Sequence, residues 1–160
     1  MTGLLLAVAA CGSTPSGHSG STGSASTSTS YTVKAVSKAV SGKQESVLTN
    51  SQGMTLYYYT PDKGKSVTCT GSCAQAWPPL NLPKGMSKAA GGSGVTGTFS
   101  AVSGVVTYNG WPLYTYAGDK SSSDTVGQGL GGVWFVATPD LKAATSTTSG
   151  GSGSGGDNWG

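Results

Sequence analysis

The sequence lacks many of the residues on which familiar activities depend. Its 160 residues include no arginine, no isoleucine and a single histidine, and only 15 side chains are charged. Nine lysines against six acids give a net charge of +3, a weak balance for nucleic-acid binding, which favours lysine and arginine clustered on one face. The single histidine, His18, stands in a Ser/Thr/Gly-rich segment, so a serine or cysteine hydrolase would lack its usual base. The composition therefore argues against an enzyme and against a nucleic-acid partner.

A long hydrophobic run is also missing, since the apolar stretch at residues 1–10 is far shorter than the ~20 residues that span a bilayer. It is typical of the apolar part of a secretory signal. Its end, Val8-Ala9-Ala10-Cys11, resembles a bacterial lipobox, in which the cysteine carries lipid. No lysine or arginine precedes the run, so either translation starts further upstream or the stretch is an apolar N-terminus with a free thiol. We expect residues 1–10 to be the remnant of a signal peptide and Cys11 to be lipidated.

Small residues dominate the remaining composition, with 27 Gly, 25 Ser and 20 Thr. They are concentrated in residues 11–30 and 142–160, which have too few apolar side chains to offset their chain entropy. We therefore predict a tether followed by a folded domain and a flexible tail. The domain, residues 31–141, holds 21 of the 25 Leu, Val and Phe.

The domain is predicted to be mainly β, because its apolar runs are short, rich in valine and aromatics, and bounded by turn residues. Residues 47–49 and 54–60 predict one hairpin, and residues 95–102 and 105–108 another around Ser103-Gly104. Further strands are predicted at 113–116 and 133–138. One short helix is expected at 71–77, where Pro78-Pro79 ends it.

An internal repeat is the most specific feature. Residues 53–63 align with residues 110–120 in the frame G-x-x-L-Y-x-Y-x-x-D-K, with six identities in eleven positions. This predicts two related β units. Strand alternation places Tyr57 and Tyr59 on one face, and likewise Tyr114 and Tyr116. We expect a pseudo-two-fold pair of sheets, each carrying a two-tyrosine stripe.

Two interpretations of the stripes remain open. In the first, Tyr57, Tyr59, Tyr114 and Tyr116 form an exposed surface for sugar rings, a flat cofactor or a partner, with the repeat's two aspartates, Asp62 and Asp119, as polar anchors. In the second, the rings fill a core that is poor in aliphatic side chains, and their hydroxyls find partners inside. The aspartates then serve as turn residues.

The repeat and three further motifs resemble a family of secreted bacterial repeat lipoproteins with the signature Y-x-(F/W/Y)-x-x-D. The similar segments are Cys69 to Leu80 (C-x-x-x-C-A-x-x-W-P-P-L), Tyr108 to Leu113 and Gly127 to Trp134. The resemblance covers roughly residues 47–139. It implies an exported, often lipid-anchored protein, and it implies no reaction.

Cys69 and Cys73 are the remaining thiols. In an exported protein a close pair predicts a disulfide, and Gly71 between them permits the tight turn. The alternative is a thiol redox or Cu(I) site, with a thioether from Met54 or Met86 as a further soft ligand.

The sequence thus predicts an exported, lipid-anchored envelope protein that acts as a non-catalytic binding or structural module without a cofactor or metal. Its expected partners are a membrane, reached through the lipid, and an envelope ligand or protein that the sequence does not identify. The alternative function is thiol redox or copper handling by Cys69 and Cys73.

Overall fold

The computed structural model describes residues 32–63, 66–86 and 88–144, and within them the fold is mainly β, as predicted. The strands are β1 Thr32–Val40, β2 Lys43–Thr49, β3 Tyr57–Tyr59, β4 Ala90–Gly91, β5 Phe99–Val102, β6 Val105–Tyr108, β7 Trp111–Tyr114 and β8 Trp134–Val136. One α-helix, α1, spans Ser72–Ala76, and single 3-10 turns span Thr60–Asp62 and Leu130–Gly132. The predicted signal remnant (1–10), the lipidated Cys11 with its tether (11–30) and the tail from residue 145 onward lie outside the described residues.

The strands form two sheets. A three-stranded sheet has the order β2-β1-β4, and a five-stranded sheet has the order β5-β6-β7-β3-β8 with antiparallel neighbours throughout. The two repeat strands, β3 and β7, lie next to each other in the larger sheet, where Tyr57 is opposite Tyr114. The expectation of one sheet for each stripe is therefore wrong. The two units share a sheet because their equivalent strands hydrogen-bond to each other.

Two similar hairpins precede the repeat strands. Ser41-Gly42 joins β1 to β2, and Ser103-Gly104 joins β5 to β6; all four residues have positive φ, as in type I′ turns. The second hairpin was predicted, whereas β1, which is nine residues long, was not. Its alternation is obscured because Val33 packs in one core on one face of the strand, and Val40 packs in another core on the opposite face.

The five-stranded sheet separates two cores, which we call the aliphatic core and the aromatic core. The buried members of the aliphatic core are Val33, Leu48, Leu56, Leu80, Ala89, Val106, Tyr108, Leu113 and Ala137. Leu56, which directly precedes β3, faces the aliphatic core, and Tyr57, the first residue of β3, faces the aromatic core; on β7, Leu113 and Tyr114 divide in the same way. This is the division of faces that strand alternation predicts. The buried members of the aromatic core are Val40, Val47, Tyr57, Cys69, Trp77, Tyr114, Trp134 and Val136.

The folded domain continues past its expected end at residue 141. The indole N–H of Trp111 donates to the carbonyl of Lys142 at 2.9 Å, and the Ala144 N–H donates to the carbonyl of Asn109 at 3.0 Å. These bonds hold residues 142–144 against the β6–β7 turn. In the described part of the chain, no helix is long and apolar enough to cross a bilayer.

Candidate functional site

Two crossed hydrogen bonds connect the repeat units inside the aromatic core. The Tyr57 hydroxyl donates to Asp119 Oδ2 at 2.8 Å, and the Tyr114 hydroxyl donates to Asp62 Oδ2 at 2.5 Å. Each tyrosine therefore binds the aspartate of the other unit. Both tyrosines and Asp62 have no exposed surface, and Asp119 is 6% exposed. Burial makes these bonds obligatory, since an unpaired carboxylate in such a place would be costly.

The second oxygen of each carboxylate holds the loop that follows it. Asp62 Oδ1 accepts bonds from the backbone N–H of Thr68 at 2.8 Å and from its hydroxyl at 2.6 Å. Asp119 Oδ1 accepts the N–H of Val126 at 3.0 Å. Each aspartate thus joins the tyrosine of the other unit to the loop that follows the aspartate in its own unit.

Those loops lead to two tryptophans that the sequence analysis did not select as site residues. Trp77 and Trp134 stack at a centroid distance of 3.8 Å with an interplanar angle of 2°. They are separated by 57 residues, which is also the spacing of Tyr57 and Tyr114, of Tyr59 and Tyr116, and of Asp62 and Asp119. Extending the repeat alignment by this constant spacing would have found them.

Tyr59 and Tyr116 extend the tryptophan pair into a column of four rings. Tyr59 stacks on Trp134 at 4.3 Å, and Tyr116 stacks on Trp77 at 4.2 Å. Tyr57 meets Trp77 edge-on at 5.4 Å, and Tyr114 meets Trp134 edge-on at 5.2 Å, so the stacked contacts and these edge-on contacts each form a pair related by the repeat. We call the four stacked rings the ring column, and we call Tyr57 and Tyr114 its flanking tyrosines.

Different local structures position the two tryptophans. Before Trp77, a disulfide joins Cys69 to Cys73, with Cα atoms 5.2 Å apart, and Cys73 lies in the first turn of helix α1. Before Trp134, glycines replace the disulfide. A Cβ on Gly127 would lie 2.8 Å from Trp77 Cη2 and 2.8 Å from Tyr57 Cζ, so only glycine allows the loop to approach the rings this closely.

The structure corrects the exposed-surface interpretation for four of the six candidate binding residues. Tyr57, Tyr114, Asp62 and Asp119 are buried and hydrogen-bonded to one another, so they offer no surface to a ligand. The physical reason is that the aliphatic content is too small to fill this core, and rings fill it instead. Of the stripe residues, Tyr59 and Tyr116 are half-buried. Ligand binding by these two stays a prediction.

Burial also sets the protonation of the site. It raises the pKa of both Tyr57 and Tyr114 far above the ordinary value, and the bonds to Asp119 and Asp62 raise these pKa values further. Burial likewise raises the pKa of Asp119, and the bonds from Tyr57 and Val126 and the charge of Lys38 partly offset this. Lys38 is itself buried, which lowers its pKa, and its ammonium donates to Gly53 O at 2.9 Å and Thr55 Oγ1 at 2.8 Å.

The cysteine pair forms the predicted disulfide, which does not favour the thiol redox or Cu(I) alternative. A disulfide offers no thiolate to a soft metal. Within the described residues, no group of three or more His, Cys, Asp or Glu side chains is arranged to hold a metal ion.

Comparison with known proteins adds one finding. The family model Lipoprotein_15, described as a secreted repeat of unknown function, matches residues 38–81 and 97–138. Each matched segment contains one Tyr-x-Tyr stripe, one buried aspartate and one column tryptophan. No curated protein and no solved structure matches the chain.

Thermodynamic coupling should follow the crossed bonds rather than sequence proximity. Tyr57→Phe and Asp119→Asn should each cost about 1–3 kcal/mol of unfolding free energy, because each leaves a buried group without its partner. In urea unfolding, the double variant should show a coupling of about 0.5–3 kcal/mol. The matched pair Tyr57→Phe with Asp62→Asn shares no hydrogen bond and should be additive within about 0.5 kcal/mol. Coupling in the second pair and none in the first would contradict the crossed arrangement.

Alkaline titration should separate the buried phenols from the rest. Above pH ~10 the unfolded chain loses phenolic protons, whereas folded Tyr57 and Tyr114 keep theirs because their pKa values are raised. The folded state then binds more protons, so its stability falls as pH rises above that value. Phenolate absorbance should show a late step coincident with loss of near-ultraviolet circular dichroism, and the step should be smaller in Tyr57→Phe and Tyr114→Phe. Full ionisation of the tyrosines with the dichroism intact would refute this.

Proposed function

This chain belongs to the Lipoprotein_15 family of secreted repeats of unknown function, and we propose that it is an exported, lipid-anchored, non-catalytic binding module of the cell envelope. The family description supports export. The lipobox-like Val8-Ala9-Ala10-Cys11 supports the anchor, and residues 11–30 would then hold the domain away from the membrane.

The half-buried ends of the ring column carry the binding part of the proposal. Tyr59 and Tyr116 are partly open, while the tryptophans behind them are only 6% exposed. Because stacking on a buried indole fixes each tyrosine ring, binding would require little further ordering. Aromatic faces with a hydroxyl edge suit sugar rings, so we propose an envelope glycan as the ligand.

The buried carboxylates support a role without catalysis. Both oxygens of Asp62 and of Asp119 accept hydrogen bonds from the protein, and both residues are inaccessible to a substrate. A general acid or base must come within hydrogen-bond reach of the reacting group. These two aspartates serve to hold the units together.

Removing the predicted lipid site should release the protein from membranes. In cells that process lipoproteins, Cys11→Ser should move the chain from the membrane fraction to the soluble fraction and remove the acyl mass, because no other residue can carry the lipobox lipid. Ser13→Ala, a nearby substitution that keeps the cysteine, should leave the distribution unchanged. Membrane retention of Cys11→Ser with an unaltered mass would reject the anchor.

Substitution at the column ends should weaken glycan binding. The probe is a set of soluble cell-wall glycan fragments, followed by tryptophan fluorescence and calorimetry. Tyr59→Ala and Tyr116→Ala should each raise Kd roughly tenfold, as for an aromatic contact worth about 1.4 kcal/mol.

Tyr58→Ala is the matched control for this experiment. Tyr58 is also half-buried on β3, but its ring packs on Trp111 and Phe135 on the opposite face of the sheet. It should keep the wild-type Kd. Equal losses in the three variants, or no fragment bound by the wild-type chain, would reject the glycan proposal.

A further inference from the structure

The ring column has a geometry that suits one-electron transfer between neighbouring rings. Tyrosine and tryptophan are the side chains from which one electron is most readily removed without breaking a bond between heavy atoms. Here four such rings, Tyr59, Trp134, Trp77 and Tyr116, stack in order with centroid distances of 4.3, 3.8 and 4.2 Å. Electron exchange between rings in contact is fast because their π orbitals overlap.

The centre of the column is suited to hold a positive charge. Trp77 and Trp134 are parallel within 2°, so a hole on one indole can be shared with the other. Neighbouring ring faces attract a cation through their quadrupoles. Each indole is 6% exposed, which protects an oxidised ring from water and solutes, whereas the half-buried end rings stay accessible.

A long-lived tyrosyl radical requires a base that accepts the phenolic proton, and each flanking tyrosine has such a base. A phenol that loses an electron becomes a strong acid, so its oxidation is favourable when a base already accepts its hydrogen bond. Tyr57 lies edge-on to Trp77 and donates to Asp119, and Tyr114 lies edge-on to Trp134 and donates to Asp62. Each phenol thus meets both an electron acceptor, an oxidised indole, and a proton acceptor.

We propose that the ring column and its flanking tyrosines form a one-electron relay that takes oxidising equivalents from an outer-sphere metal-complex oxidant at Tyr59 or Tyr116 and stores them on Tyr57 or Tyr114. The oxidant gains one electron. The Tyr57 O–H bond breaks, an O–H bond forms on Asp119 Oδ2, and the products are a neutral tyrosyl radical beside a neutral carboxylic acid. A one-electron reductant of the enediol class, such as ascorbate, reverses both changes. The relay requires no glycan, so its failure and that of glycan binding are separate results.

Photo-oxidation of the full chain tests the path. A ruthenium tris-bipyridyl complex, oxidised by a light flash in the presence of a sacrificial acceptor, serves as the oxidant, and transient absorption follows the radicals. The wild-type chain should form a tryptophanyl radical that converts to a long-lived tyrosyl radical. Trp134→Phe with Trp77→Phe should lower the tyrosyl yield about tenfold, whereas Trp111→Phe, on the opposite face of the sheet, should leave it unchanged. Equal yields in all variants would overturn the path.

A second comparison tests the proton acceptor. With Tyr114→Phe in place, Tyr57 and Asp119 form the remaining buried pair, and adding Asp119→Asn should shorten the radical lifetime about tenfold. Adding Asp140→Asn, at an exposed carboxylate, should not change it. A lifetime that is insensitive to Asp119→Asn would overturn storage on Tyr57.

A measurement on the unaltered chain covers the case of variants that fail to fold. Electron paramagnetic resonance of the wild-type protein, frozen after photo-oxidation in D₂O, should show a tyrosyl radical whose oxygen is coupled to an exchangeable deuteron, as expected beside a protonated carboxyl group. A tyrosyl radical without that coupling, or a radical confined to tryptophan, would overturn the proposal.

Discussion

Two tyrosine–aspartate hydrogen bonds connect the repeat units, and the rest of the structure depends on them. Pairing of Tyr57 with Tyr114 across adjacent strands fixes the relation of the units, and the crossed bonds to Asp119 and Asp62 fix it in the interior. Each aspartate also binds the loop that follows it in its own unit. One buried carboxylate therefore connects the tyrosine strand of one unit to the loop that leads to the tryptophan of the other unit. Breaking one bond would leave an unpaired buried group.

The same repeat motif therefore serves two purposes through strand alternation. The first tyrosine of each Tyr-x-Tyr pair bonds across to the other unit, and the second stacks on a tryptophan at an accessible end of the column. A disulfide orders the loop before Trp77, and closely packed glycine does so before Trp134. A symmetric interior is thus reached with two different loops, because each loop needs only to place one indole.

Much of the local structure followed from the chain itself. The hairpin at Ser103-Gly104, the helix before Pro78-Pro79, the opposite faces of Leu56 and Tyr57 and the disulfide are set by residues close in sequence. Strand β1 was missed because its two halves bury opposite faces, which cancels the simple alternation that predicts a strand. The shared sheet was missed because strand pairing between units is a non-local contact.

The sequence by itself determined the mainly β class, the two related units and their membership of a secreted repeat family. It also identified the four stripe tyrosines and the two aspartates, since a repeated motif is visible in the sequence alone. Only the tertiary structure decided that Tyr57 bonds to Asp119 rather than to Asp62, and that Trp77 stacks on Trp134. Those partners are 62 and 57 residues apart, and such distant groups are brought together by the packing of the two units against each other, which no local propensity encodes.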